Sequence, residues 1–272
     1  MSGNGCAPNG RLFVITGIIY KKENMKIVAI GGGEIGRPGY PVETTRIDKE
    51  IIALSGKKKP KVLFIPTASG DSEGYTEVFN KHFGKRLGCK TDVLYLIKEK
   101  PTKKQIRDKI LNSDIVYVGG GNTAKMIKVW RKTGADKILQ EADRKGIVLS
   151  GLSAGSICCF KYGLSDSRRF KNPKAKLIKV SGLNLISALH CPHYDFEPHR
   201  KEDLKQMMKS TSGVAIAIDN CCAIEIVDDQ YRIISSKREA KAYKVYWKRG
   251  KFYQEGIQQY KEYKSLSDLL IK

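Results

Sequence analysis

Ile147-Val148-Leu149-Ser150-Gly151-Leu152-Ser153-Ala154-Gly155-Ser156-Ile157 is the stretch on which the fold turns. Its first four residues have the β-branched, apolar character of a buried strand, and a helix is expected from Ser156-Ile157 onward. Between them Gly151 and Gly155 bracket Ser153 in the GxSxG spacing of a nucleophile elbow. The chemistry needs those residue types there. Small flanking residues let the backbone turn sharply, so the serine hydroxyl stands exposed above the carboxyl edge of the sheet. The residue after it, Ala154, then points its N–H at the place where an oxyanion would form. A plain glycine turn with a capping serine would use the same five residues, so the rest of the chain must decide.

Working outward, apolar runs at 27–30, 61–65, 92–97, 115–118 and 147–150 alternate with amphipathic patterns over 43–55, 73–87, 102–111 and 122–144. Continuous apolar strands separated by helices imply an α/β protein with a mostly parallel sheet covered on both faces. After position 214 the runs 214–218, 223–227, 231–234 and 242–247 follow closely with turn residues between them. They read as an antiparallel C-terminal extension on the edge of that sheet. No repeat or long linker interrupts residues 25–272, which are expected to form a single domain. Residues 1–24 read as an added or disordered N-terminal extension, since a clean strand pattern opens only at Met25-Lys26.

Bulk properties narrow the function. The 272 residues are 41% hydrophobic and 29% charged, ordinary for a globular protein, and no apolar run is long enough to span a membrane. Seven cysteines without an even framework or a CxxC fit reduced thiols in a cytoplasmic protein. The net charge of +22 raises nucleic acid as a partner. The lysines, however, are scattered in ones and threes, as at Lys57 to Lys59, with no recognition motif, so no specific nucleic-acid partner is expected.

Other motifs converge on the elbow. Gly119-Gly120-Gly121-Asn122-Thr123 ends another strand, and in a parallel sheet both turns share one edge. The N–H groups of Gly121 and Ala154 are candidate oxyanion donors, and the Asn122 amide is a candidate substrate contact. Gly31-Gly32-Gly33-Glu34-Ile35-Gly36 matches a dinucleotide fingerprint, but Pro38 and Pro41 oppose the helix such a site requires. No cofactor is expected, and the glycines are read as a tight turn on the rim of a site.

Three of the four histidines lie between 190 and 199. Strand alternation sets His190 and His193 on opposite faces, which argues against a metal site. His193 is the preferred base, and His82 is read as a solvated bystander on a charged helix face. Asp219, at the end of the run 214–218, and Asp166, in the loop after the elbow, are candidate orienting acids; the strand end favours Asp219. Arg200 is a candidate receptor for a substrate carboxylate.

Gly119 to Thr123, Gly151 to Gly155, Cys191-Pro192-His193-Tyr194-Asp195 and Ala217-Ile218-Asp219-Asn220, in this order, resemble the peptidase E family of aspartyl dipeptidases and, more distantly, cyanophycinases. The resemblance implies a three-layer α/β/α sandwich related to class I glutamine amidotransferases. It implies Ser153 as nucleophile, His193 as base, Gly121 and Ala154 as oxyanion donors, and Asp166 or Asp219 as third member. The expected activity is hydrolysis of short peptides, above all dipeptides with an N-terminal aspartate, by a monomer or homodimer. The competing readings are an α/β-hydrolase-like esterase, opposed by the missing HGGG motif, and a catalytically inactive ligand-binding relative.

Overall fold

The structure, a computed structural model, describes residues 24–196 and 199–272. All but Asn24 of the expected N-terminal extension lies outside the described residues. In chain order the main elements are β1 (Lys26–Ile30), α1 (Thr45–Leu54), β2 (Lys61–Ile65), α2 (Glu73–Phe79), β3 (Lys90–Val93), α3 (Lys103–Leu111), β4 (Ile115–Val118), α4 (Thr123–Thr133), α5 (Ala135–Arg144), β5 (Val148–Leu152) and α6 (Ala154–Ile157). They continue with β6 (Phe160–Ser165), β7 (Ile178–Ser181), β8 (Ile186–Cys191), α7 (Arg200–Lys209), β9 (Ala215–Ile218), β10 (Cys222–Val227), β11 (Gln230–Ser235), β12 (Ala242–Lys248), β13 (Lys251–Ile257), β14 (Lys264–Ser265) and α8 (Leu266–Leu270).

The parallel core runs β3-β2-β4-β5-β1. β1, β2, β4 and β5 are buried on both faces, which is why they read as hydrophobic runs, whereas β3 (Lys-Thr-Asp-Val) at the edge is only partly buried. Val28, Ile30, Val62, Phe64, Ile115 and Tyr117 pack toward Ile47 and Ile51 of α1 and toward Phe79 and Phe83. Their alternation partners Ile27, Ala29, Leu63, Ile65, Val116 and Val118 meet α3, α4 and α5 through Ile106, Met126, Trp130 and Leu139. Helices therefore cover the sheet on both sides, in the three-layer order expected. Phe64 stacks on Phe79 with ring centroids 4.3 Å apart, and Phe79 on Phe83 at 4.7 Å.

The C-terminal strands depart from the expected arrangement. Among the described residues, only β10, β11 and β14 extend the main sheet antiparallel beyond β1. The runs at 214–218 and 242–247 belong to a second sheet, ordered β13-β12-β9-β8-β6-β7. One face of that sheet joins the main core through Phe160, Ile186, Ile216 and Ile218. The other is covered by Leu204 and Met208 of α7. The chain crosses between sheets in the three residues Asp219-Asn220-Cys221, with Cys221 in a left-handed conformation (φ 61°).

Smaller differences have local causes. The expected helix 122–144 breaks at Gly134, whose φ of 78° stops α4 before α5 begins. The pattern over 73–87 becomes α2 followed by a π-helical turn, Asn80–Arg86. That turn buries His82, which lies 2.7 Å from the equally buried Asp48 carboxylate, so His82 is not solvated. The strand expected at 92–97 closes earlier, at Val93.

Candidate active site

Ser153 lies between β5 and α6 with φ 55° and ψ −112°, a conformation that L residues rarely adopt. Its N–H donates to the Ile30 carbonyl at 3.2 Å, and its carbonyl accepts from Ser156 and Ile157 at 3.0 Å. Both bracketing glycines are sterically required. A Cβ on Gly155 would fall 2.1 Å from the Val118 carbonyl oxygen, and one on Gly151 would fall 2.5 Å from the same atom. The sharp turn is thereby fitted against β4.

His193 Nε2 lies 2.9 Å from Ser153 Oγ. The His193 backbone N–H donates to Gly31 O at 3.0 Å, and the next residue, Tyr194, donates to Ile218 O at 3.2 Å. The histidine segment thus ties the ends of β1 and β9 together, and the first glycine turn forms part of the rim. A Cβ on Gly32 would meet Asn220 Oδ1 at 2.0 Å and the His193 ring at 2.4 Å. That turn is reserved for the imidazole.

The other ring nitrogen, His193 Nδ1, faces Asn220 Oδ1 at 2.6 Å. Neither of the two expected acids takes that position. Asp219, one residue earlier, points the other way: its carboxylate accepts from Lys241 N–H at 2.9 Å, capping the start of β12, and burial pushes its pKa up. Asp166 stands just beyond β6, where its backbone carbonyl accepts from Arg169 N–H at 2.7 Å. Asn220 was missed because the acid was sought by residue type. Both residues lie beyond the end of β9, in the crossing to β10, where strand alternation no longer says which side chain faces His193.

Gly121 adopts φ 134°, and a Cβ there would collide with the Ala68 carbonyl oxygen at 2.5 Å. Among the described residues, neither Gly121 N–H nor Ala154 N–H donates to an internal acceptor. Asn122 has a different task from the one expected. Its Oδ1 accepts from Lys125 N–H at 2.9 Å as the N-cap of α4, and its Nδ2 donates to Ser167 O at 3.0 Å. The amide is spent on fixing the turn and the loop beyond β6.

The sequence model of peptidase family S51 matches residues 24–234. The chain belongs to peptidase family S51. The match runs from before β1 into β11 and so contains Ser153, His193, Asn220, Gly121 and Ala154. Relatives include the uncharacterized peptidase YgaJ of Bacillus subtilis, 35% identical over 226 residues, covering 81% of this chain and 91% of that protein. Peptidase E of a Nostoc species is 27% identical over 203 residues, 70% and 78% of the two chains. In fold the chain is similar to the crystal structure of a peptidase from an acI-B1 actinobacterium, with a TM-score of 0.67 and 20% identity over 89% of this chain and 96% of that one. A putative peptidase E protein from Listeria monocytogenes gives a TM-score of 0.59 and 22% identity, covering 78% and 98%.

Two further residues complete the S51 site's surroundings. His190 is fully buried under the elbow, with Nε2 2.8 Å from Ser156 Oγ and Nδ1 2.9 Å from the Ile216 carbonyl. Burial pushes its imidazole down to about 3, with the charges of His193 and Arg200 acting in the same direction. It is therefore neutral near pH 7 and donates from Nδ1, because a carbonyl can only accept. Arg200, the candidate carboxylate receptor, opens α7 and is only 1% exposed. Among the described residues, no helix is long and apolar enough to cross a membrane.

Proposed function

We propose that this S51 member is a serine-type peptidase that cleaves short peptides through an acyl-enzyme. The observation that carries the reading is the pair of contacts on His193: 2.9 Å from Nε2 to Ser153 Oγ and 2.6 Å from Nδ1 to Asn220 Oδ1. An amide oxygen can only accept, so it selects the tautomer with hydrogen on Nδ1 and leaves the Nε2 lone pair facing the serine. His193 then takes the Ser153 proton as Oγ attacks the scissile carbonyl. The developing oxyanion receives the N–H groups of Gly121 and Ala154. The imidazolium returns its proton to the leaving amine, and water, activated by the same histidine, hydrolyses the ester.

A neutral amide holds the tautomer but lends the imidazolium less stabilisation than a carboxylate. The relay is thus Ser153-His193-Asn220, with Asp219 and Asp166 outside it. For substrate, dipeptides with an N-terminal aspartate are the leading class. The kinship with a protein named peptidase E supports this. The buried thiols Cys89, Cys158, Cys159, Cys221 and Cys222 suit a reducing cytoplasm.

A fluorophosphonate probe tests the nucleophile, with Ser153→Ala as control. Labelling confined to Ser153 is expected. A panel of Asp-X, isoaspartyl-X and neutral dipeptides, scored by released amino acid, tests the substrate class. Absence of labelling would reject the serine mechanism, whereas labelling without Asp-X cleavage would reject only the substrate assignment.

A further inference from the structure

Among the described residues the two sheets end in β14 and β3, and in β13 and β7. Three of these edges are short, at two, four and four residues, which is one way proteins discourage edge pairing. The fourth, β13, is seven residues long, contains no proline and keeps an unbroken register with β12 from Ala242↔Ile257 to Lys248↔Lys251. Its residues Lys251, Gln254, Glu255 and Gly256 are exposed.

The hairpin geometry says which groups are free. β12 and β13 are joined by Arg249-Gly250 alone, both with positive φ (50° and 74°), a type I′ turn. In such a hairpin the closing pair, Lys248 and Lys251, exchanges its hydrogen bonds, and every second residue follows suit. Tyr253 and Glu255 therefore turn their backbone groups toward β12. Phe252, Gln254 and Gly256 turn theirs toward the open side.

We propose that β13 pairs antiparallel with β13 of a second copy of this chain, about a two-fold axis through Tyr253. In that register Phe252 and Gln254 exchange backbone hydrogen bonds across the axis. On one face Lys251 lies opposite the partner's Glu255, twice by symmetry, with Tyr253 opposite the partner's Tyr253. Charge complementarity selects this occupant and this register. Sliding the strands by one pair would set Lys251 against the partner's Ile257 and Glu255 against the partner's Tyr253, cancelling neither charge. The central side chains are already held: Tyr253 stacks on Tyr246 with centroids 5.1 Å apart, and Tyr246 Oη donates to Glu255 at 2.5 Å. On the opposite face Gln254 Oε1 accepts from Tyr194 Oη at 2.6 Å, so the same strand steadies the residue beside His193. A one-strand interface is small, and the dimer is correspondingly weak and concentration-dependent.

Sedimentation velocity over a wide concentration range should show a monomer–dimer equilibrium. Lys251→Glu and Glu255→Lys each create two like-charge pairs and should raise Kd by about tenfold or more. Mixing these two variants restores complementarity in the heterodimer and should recover association, which also shows that each variant folds. Tyr253→Cys should form a symmetric disulfide under mild oxidation, because facing residues of a non-hydrogen-bonded pair lie roughly 4.5 Å apart at Cα. A monomer at all concentrations, single variants that associate like the parent, a mixture that fails to associate, or cross-linking at Gln254→Cys in place of Tyr253→Cys would each overturn the proposal.

Discussion

Asn220 Oδ1 lies 2.6 Å from His193 Nδ1, so a neutral amide stands where a carboxylate ordinarily orients a catalytic imidazole. If this amide fixes the tautomer, Asn220→Ala should lower kcat by roughly 10²–10⁴ with KM changed little. Asn220→Asp supplies a carboxylate at the same spot and should keep or raise kcat. Asp219→Asn should cost under about tenfold in kcat, since its carboxylate faces Lys241 N–H. Steady-state kinetics on the three variants decide the matter; greater damage at Asp219 than at Asn220 would return the orienting role to the acid.

Gly32 offers a test that removes no functional group. An added Cβ would arrive 2.0 Å from Asn220 Oδ1 and 2.4 Å from the His193 ring, while Gly32 is not among the glycines with positive φ. Gly32→Ala should therefore displace the relay without straining its own backbone, and kcat should fall by on the order of 10²-fold, the scale of a misplacement of about 1 Å. Circular dichroism and thermal unfolding should remain close to those of the parent. Full activity in this variant would mean that the imidazole position is not critical.

How far the sequence carries the structure depends on how local the signal is. The parallel core was legible because β1, β2, β4 and β5 are buried on both faces, whereas the polar edge strand β3 was misplaced by the apolar run that follows it. The elbow was legible because GxSxG followed by a helix demands that turn. The second sheet was not: the run 214–218 looks the same whether it extends the first sheet or enters another, and only long-range pairing with β8 and β12 decides. Asp219 and Asn220 were both visible at the strand end, but the side each faces depends on the three-residue crossing between sheets. His82 looked solvated because its neighbours are charged; burial beside Asp48 arises from the π-helical turn. Arg200 likewise depended on how α7 packs.

The Ser153 backbone stores strain that can be measured apart from catalysis. A non-glycine residue at φ 55° and ψ −112° costs on the order of 1–3 kcal/mol. Glycine relieves it, less roughly 0.5–1 kcal/mol for its freer unfolded chain. Ser153→Gly and Ser153→Ala should both lose activity by on the order of 10⁶, yet the glycine variant should be the more stable by about 1 kcal/mol. For a chain of this size that is a Tm difference of roughly 2–4 °C by calorimetry. An alanine variant as stable as the glycine one would show that the turn is unstrained.

His190 makes a pH-dependent prediction. Its folded-state pKa is pushed from 6.5 to about 3, chiefly by burial. Between these values the unfolded chain binds a proton that the folded chain does not, so stability falls as pH drops through the window from about 6.5 to 3. By pH 5 the loss from this group should approach about 2 kcal/mol, at about 1.36 kcal/mol per unit. Asp48 and Asp219, whose pKa values burial raises, act in the opposite sense, but they are common to parent and variant. The test is therefore a difference. Urea unfolding of the parent and of His190→Gln at pH 7 and pH 5 should give a shallower acid loss in the variant, whatever the variant's absolute stability. Equal losses in the two proteins would show that His190 takes up its proton without leaving the folded state, contrary to its position between Ser156 Oγ and the Ile216 carbonyl.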